Sequence, residues 1–117
     1  MRTTAIIIIA ATMLIGCATN NETIRRENRS RINKLSVGIT RDSVQALFGS
    51  YQPYRTETLQ GKDVLLIVAL YHTDLKAWDS AVTDDELTPV VFKDNILIGW
   101  GWMFLDDTAQ KYEIRLR

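Results

Sequence analysis

The chain has 117 residues, enough for one domain, and 46% of them are hydrophobic, as in ordinary globular proteins. Its 14 basic and 14 acidic side chains balance, which argues against a nucleic-acid-binding protein and against a disordered chain. A single Cys excludes a disulfide within the chain, and a single His excludes a His-rich zinc site.

The N-terminus has the pattern of an export signal. Residues 5–16 are apolar or small except for Thr12, a stretch too short to span a bilayer but suited to a signal peptide. The segment Leu14-Ile15-Gly16-Cys17 that follows resembles the bacterial lipobox. The resemblance implies cleavage before Cys17 and a diacylglyceryl thioether plus an N-acyl chain, a palmitate-type modification, on that residue. Because Ala18 rather than Asp follows, it also implies sorting to the outer membrane. The alternative is an ordinary signal peptide with an incidental Cys.

These features predict three segments: a lipoprotein signal peptide at 1–16, the lipidated Cys and a tether at 17–23, and a single domain at 24–117. Charge is unevenly divided between the halves of the mature chain. Residues 18–62 carry 8 basic and 4 acidic side chains, whereas residues 63–117 carry 5 and 10. We therefore expect basic helices and an acidic sheet end, a distribution that orients partners more than it adds affinity.

Two helices are predicted at the start of the domain. Residues 24–35 form a weakly amphipathic helix with five basic side chains, which fits either a solvated face or a surface near anionic lipid head groups. The second helix has Thr40 as N-cap and ends at Gly49, where a left-handed residue is favoured. Its buried stripe is predicted to consist of Val44, Leu47 and Phe48.

The segment from Leu35 to Thr40, together with that stripe and Gly49, resembles the start of the SmpA/OmlA (BamE-like) domain of small lipoproteins. The second half, from Thr88 to Gly101, is similar to a family of uncharacterised gammaproteobacterial lipoproteins of the same shape. The resemblance implies an α+β fold with two N-terminal helices packed on a three- to four-stranded antiparallel β-meander. It also implies a role in outer-membrane assembly or envelope maintenance.

The remaining residues are predicted to form strands. Tyr54 to Leu59 is a possible edge strand, and Val64 to His72 is apolar on both faces, which is typical of a central strand. Val90 to Lys93 and Ile96 to Phe104 are predicted to form a hairpin across Asp94-Asn95. The amphipathic tail suggests a last short strand at Tyr112 to Leu116.

The sequence lacks a recognisable catalytic or metal-binding motif. His72 ends a predicted strand two residues before Asp74, which is more typical of a locally hydrogen-bonded His than of a catalytic base. The acidic run Asp84-Asp85-Glu86 has no EF-hand spacing and indicates a solvated loop or the rim of an interface. We therefore expect no enzyme activity, cofactor, metal or small-molecule substrate.

A partner-binding surface is predicted on the last hairpin. A regular register across its turn places Val91, Ile98, Trp100 and Trp102 on one face, with Gly99 on the other. A glycine face lets helices approach, so the tryptophan face is expected to stay open for a partner. The alternative is that the tryptophans form the core, since a slip of one residue exchanges the faces. The candidate partner-binding residues are Trp100, Trp102, Ile98, Val91, Trp78, Asp84 and Asp85.

Together, these observations predict a lipid-anchored, non-enzymatic binding module on the outer membrane that faces the periplasm. Its expected partners are the membrane, through the lipid on Cys17, and an envelope protein. The alternative function is inhibition or regulation of a periplasmic enzyme such as a cell-wall hydrolase.

Overall fold

A computed structural model of the protein describes residues 21–76 and 82–116. Cys17 and Trp78, two of the predicted site residues, lie outside these ranges. The α+β fold is confirmed, and the described ranges contain three α-helices and a four-stranded antiparallel sheet in the order β1-β2-β3-β4. The helices are α1 (Asn21–Ile32), α2 (Arg41–Phe48) and α3 (Trp102–Lys111). The strands are β1 (Arg55–Gly61), β2 (Val64–His72), β3 (Leu87–Lys93) and β4 (Ile96–Trp100), and a 3₁₀ turn spans Asp84–Glu86.

Local signals in the sequence account for α2 and for the final hairpin. The Thr40 side chain accepts a hydrogen bond from the Ser43 amide, and Gly49 ends the helix at φ 59°. In the hairpin turn, Asp94 and Asn95 adopt φ values of 54° and 63°, which Asp and Asn tolerate better than most residues. The predicted N-cap, helix end and turn are therefore confirmed.

The sheet has a hydrophobic core on each face. On one face, α1 and α2 pack over side chains that include Ala69, Tyr71 and Phe92. On the other face, α3 inserts Leu105 among side chains that include Val68. Alternate β2 residues enter different cores, so the sheet is the middle layer of three, as expected of a strand that is apolar on both faces.

The helix α3 replaces predicted β-structure. The strand predicted from Ile96 to Phe104 stops at Trp100, because Gly101 adopts φ 95° and turns the chain into the helix. The predicted strand at Tyr112 to Leu116 is also wrong, since this tail pairs with no strand. Its Tyr112 carbonyl instead accepts a hydrogen bond from the Lys62 amide at 2.9 Å. The tail therefore lies across the end of β1.

A β-bulge changes the register of the last hairpin. Phe92 pairs with Leu97 as predicted, but Val91 pairs with Gly99 and not with Ile98. The extra residue reverses the side-chain alternation beyond that point. Trp100 consequently packs against the α1–α2 core, whereas Gly99 faces α3. The two faces predicted for the hairpin are therefore mixed in the structure.

Candidate functional site

The predicted tryptophan surface does not form. Val91 is fully buried, and Ile98 packs against the core on the α3 side. Trp100 and Trp102 are both half-buried, but they lie on opposite faces of the sheet. The bulge turns Trp100 toward α1 and α2, and the turn at Gly101 carries Trp102 into α3 on the other face. The structure therefore separates Val91, Ile98, Trp100 and Trp102, which the regular register placed on one face. The two tryptophans form neither an open surface patch nor a shared core.

A groove between β1 and α3 brings two of the predicted residues, Trp102 and Asp84, to one site. This α3 groove has a volume of about 300 Å³. Its apolar lining is Leu59, Val68, Leu70, Trp102, Leu105 and Leu116, and its charged rim is Arg55, Glu57, Asp84, Asp106 and Arg115. Asp85, the last predicted residue, is exposed beside it on the 3₁₀ turn.

The groove is fixed by polar contacts at one end. Trp102 Nε1 donates a hydrogen bond to the Leu87 carbonyl at 2.9 Å, which holds the indole as a wall of the groove. The Arg55 guanidinium donates to Glu57 at 2.8 Å and to Asp84 at 3.1 Å. The hydrogen bond to Glu57 raises the pKa of Arg55 above its ordinary value. An apolar floor with fixed charges of both signs suits an apolar side chain of a polypeptide partner.

A second, polar cleft lies between α1 and the end of β2. This α1 cleft has a volume of about 700 Å³, and Arg25, Arg29, Thr73 and Thr88 contribute to its lining. The Thr73 and Thr88 hydroxyls are 2.7 Å apart, and Arg29 donates a hydrogen bond to the Thr73 carbonyl. The lining also includes Glu22, which makes the charge of this cleft mixed.

Polar side chains hold α1 on the sheet, which the sequence did not indicate. The inner face of α1 includes Arg25, 5% exposed, and Asn28, 1% exposed. Asn28 Nδ2 donates to the His72 carbonyl at 2.9 Å. The Arg25 guanidinium pairs with Glu22 at 2.9 Å and keeps its charge compensated. The predicted amphipathic helix is thus present, but two of the residues on its buried face are polar.

The acidic residue that faces His72 is Glu86. Glu86 is 1% exposed, and its Oε1 lies 3.8 Å from His72 Nε2. Glu86 Oε2 accepts a hydrogen bond from the Lys76 amide, and its backbone carbonyl accepts from the amides of Thr73 and Asp74. These contacts tie the end of β2 to the 3₁₀ turn. Glu86 and the partly buried His72 line neither the α3 groove nor the α1 cleft. Asp74, the acidic residue near His72 in the sequence, instead pairs with Lys76 at 2.9 Å.

The described residues contain neither a metal-type cluster of side chains nor a membrane-spanning helix. Across 21–76 and 82–116, no cluster of His, Cys, Asp or Glu has an arrangement that could hold a metal ion. Within the same two segments, no helix has both the length and the apolar character needed to cross a bilayer.

The ion pair between Glu22 and Arg25 yields a titration prediction. The hydrogen bond from Arg25 lowers the pKa of Glu22, so the pair stabilises the fold above the unfolded-state pKa. This stabilisation is lost as the pH falls through the lower, folded-state pKa. We expect an NMR titration of the Glu22 carboxyl to show the lowered pKa, and Arg25→Gln to move it back up.

The control for this titration is Arg26→Gln, the same change at an exposed neighbour that makes no hydrogen bond to Glu22 within the described chain. An unchanged Glu22 titration in Arg25→Gln would show that the pair does not form in solution.

Comparison with known proteins identifies the family of the chain. A family model described as a protein of unknown function, DUF3192, matches residues 4–107. No curated protein and no solved structure matched the chain. The match covers most of the sequence, including β1 to β4 and the first half of α3. The chain therefore belongs to the DUF3192 family.

Proposed function

We propose that the protein is a lipid-anchored, non-enzymatic binding module on the outer membrane, facing the periplasm, that acts in envelope assembly or maintenance. The observation that carries the proposal is the position of the only Cys of the chain, at the end of Leu14-Ile15-Gly16-Cys17. Several acyl chains on one residue give stable membrane attachment, whereas one chain binds only marginally. The similarity of the α2 region to SmpA/OmlA domains supports the envelope role.

Lipidation is tested by replacing Cys17. In Cys17→Ser, we expect labelled palmitate incorporation to fall to background and the signal peptide to remain attached, because the lipid acceptor and the cleavage motif are both lost. The matched control is Ser30→Cys, which adds a thiol on the exposed side of α1 and should leave labelling unchanged. Normal palmitate labelling of Cys17→Ser would refute the anchor.

The α3 groove is the surface that we propose for the partner. Its apolar floor beside fixed charges resembles the core and rim of a protein interface. A photo-crosslinking residue at Asp106, on the rim, is expected to capture one envelope protein in intact cells. The same residue at Ala46, exposed on α2 across the sheet, is expected to capture none.

The identity of the captured protein decides between the two functions. Subunits of an outer-membrane assembly machine would support the proposed role, and a single soluble hydrolase would support the inhibitor alternative. Equal crosslinking from Asp106 and Ala46 would show that the groove is not the binding surface.

A further inference from the structure

A basic stripe, which we define as Arg26, Arg29 and Lys34, follows the exposed side of α1 into the turn after it. All three side chains are exposed, whereas Asn28, Ile32 and Leu35 on the other side of this segment are buried. Within the described residues, Glu22 pairs with Arg25 and Arg29, and Glu27 pairs with Arg31. Arg26 and Lys34 have no acidic partner in that part of the chain, so the stripe keeps a net positive charge.

The opposite side of the domain carries charges of both signs and lacks the net positive charge of the stripe. On α3, Asp106 and Asp107 are exposed, and Asp84 and Asp85 are exposed on the neighbouring 3₁₀ turn. Because α1 and α3 pack on opposite faces of the sheet, the charge difference seen along the sequence becomes a difference between two sides of the molecule. Near an anionic surface, such a domain experiences a torque that turns the basic stripe toward the surface.

The chain length between α1 and Cys17 brings the stripe close to the anchor. The helix starts at Asn21, and four residue steps span at most about 14 Å even when fully extended. Arg26 lies a further ~8 Å along the helix axis. These lengths are upper limits, so α1 can lie along the bilayer surface, where Arg26 comes within the electrostatic screening length of about 10 Å at ~0.1 M salt.

We infer that the basic stripe lies against anionic lipid head groups, which turns the α3 side and its groove away from the bilayer. This inference rests on the proposed anchor at Cys17. It deepens the proposed function by giving the module an orientation: the membrane takes the α1 side, and the α3 groove stays free for a protein partner.

The test measures which side of the domain faces the lipid. The lipidated protein is reconstituted into phosphatidylcholine vesicles with or without phosphatidylglycerol, and a fluorophore is attached at Ser30→Cys on α1 or Gln110→Cys on α3. Both positions are exposed and uncharged. With a quencher attached to lipid head groups, we expect the Ser30 label to be quenched several-fold more than the Gln110 label. This difference should require phosphatidylglycerol and disappear at ~1 M salt, where screening is effective within about 3 Å.

A matched pair of charge reversals tests the stripe itself. Loss of one basic residue near an anionic surface changes the docked population by about fivefold, and Arg26→Glu also adds a repelled negative charge. The reversal should therefore lower the α1-side quenching by at least about fivefold. Lys111→Glu makes the same charge change on exposed α3 and should leave the quenching difference intact. Equal effects of the two reversals would overturn the inference, because they would indicate net charge rather than a defined face.

Different results would overturn the proposed anchor and the inferred orientation. If the wild-type protein leaves the vesicles at high salt, or takes up thiol label at Cys17, both the anchor and the inference are overturned. If it stays bound but the labels at Ser30 and Gln110 are quenched equally, only the orientation is overturned.

Discussion

Phe48→Ala is expected to reduce the free energy of unfolding by about 3–5 kcal/mol. Phe48 is 1% exposed and stacks on Tyr71 with ring centroids 3.9 Å apart, so truncation leaves a cavity between α2 and the sheet. Small domains have only about 5–15 kcal/mol of stability, so the variant should be close to unfolding at physiological temperature. Urea denaturation followed by circular dichroism measures the change.

Leu47→Ala is the matched control for this result. Leu47 was predicted to belong to the buried stripe, but it is only half-buried at the edge of the same core. Its truncation should cost roughly 1–2 kcal/mol, because neighbouring side chains and solvent fill part of the space. Equal losses in Phe48→Ala and Leu47→Ala would contradict the orientation of α2 on the sheet.

The difference between Phe48 and Leu47 illustrates what the sequence determined and what it did not. Local chemistry fixed the position of α2, since Thr40 and Gly49 satisfy its ends without help from the rest of the chain. The rotation of the helix about its axis depends on which sheet residues lie beneath it. Val44, Leu47 and Phe48 lie on neighbouring parts of the helix surface, and several rotations of the helix would bury most of this stripe. Tertiary packing selects one of these rotations.

The first residues of α3 have the sequence pattern of a strand, which is why the sequence predicts a strand and not a helix there. Trp102 and Phe104 have high β-propensity and directly follow a strand, so the sequence pattern predicts that the strand continues. The available signal was the spacing from Trp102 through Leu105 to Thr108 and Ala109, which recurs every three or four residues. Gly101 marks the boundary, because its φ of 95° is strained for any residue with a side chain.

The candidate site could be predicted only in part, because it depends on contacts between residues far apart in the sequence. Trp102 and Asp84 line one groove, as residues of a common site should, but they come from elements whose proximity depends on α3. The polar inner face of α1 could not be predicted from the sequence either, since Asn28 donates to a backbone carbonyl 44 residues away. Hydrogen bonds to a distant backbone leave no pattern in the sequence.

The bulge between Val91 and Phe92 is tested by Gly99→Ala. In the observed register an added Cβ at Gly99 would lie 2.6 Å from the Phe104 ring, far inside normal contact distance. We expect a loss of about 1–3 kcal/mol from overpacking, measured by urea denaturation. Ala is otherwise favoured over Gly in a strand by roughly 0.5–1 kcal/mol, so a loss in stability requires the clash.

A double-mutant cycle with Phe104→Ala identifies the source of that loss. If the ring is what the new methyl group meets, Gly99→Ala should become neutral or stabilising once Phe104 is truncated, giving a coupling energy above about 1 kcal/mol. In the regular register, Gly99 would face α1 and α2, and its substitution would be independent of Phe104. Additive effects of the two changes would therefore contradict the bulge and restore the face assignment that places Trp100 beside Trp102.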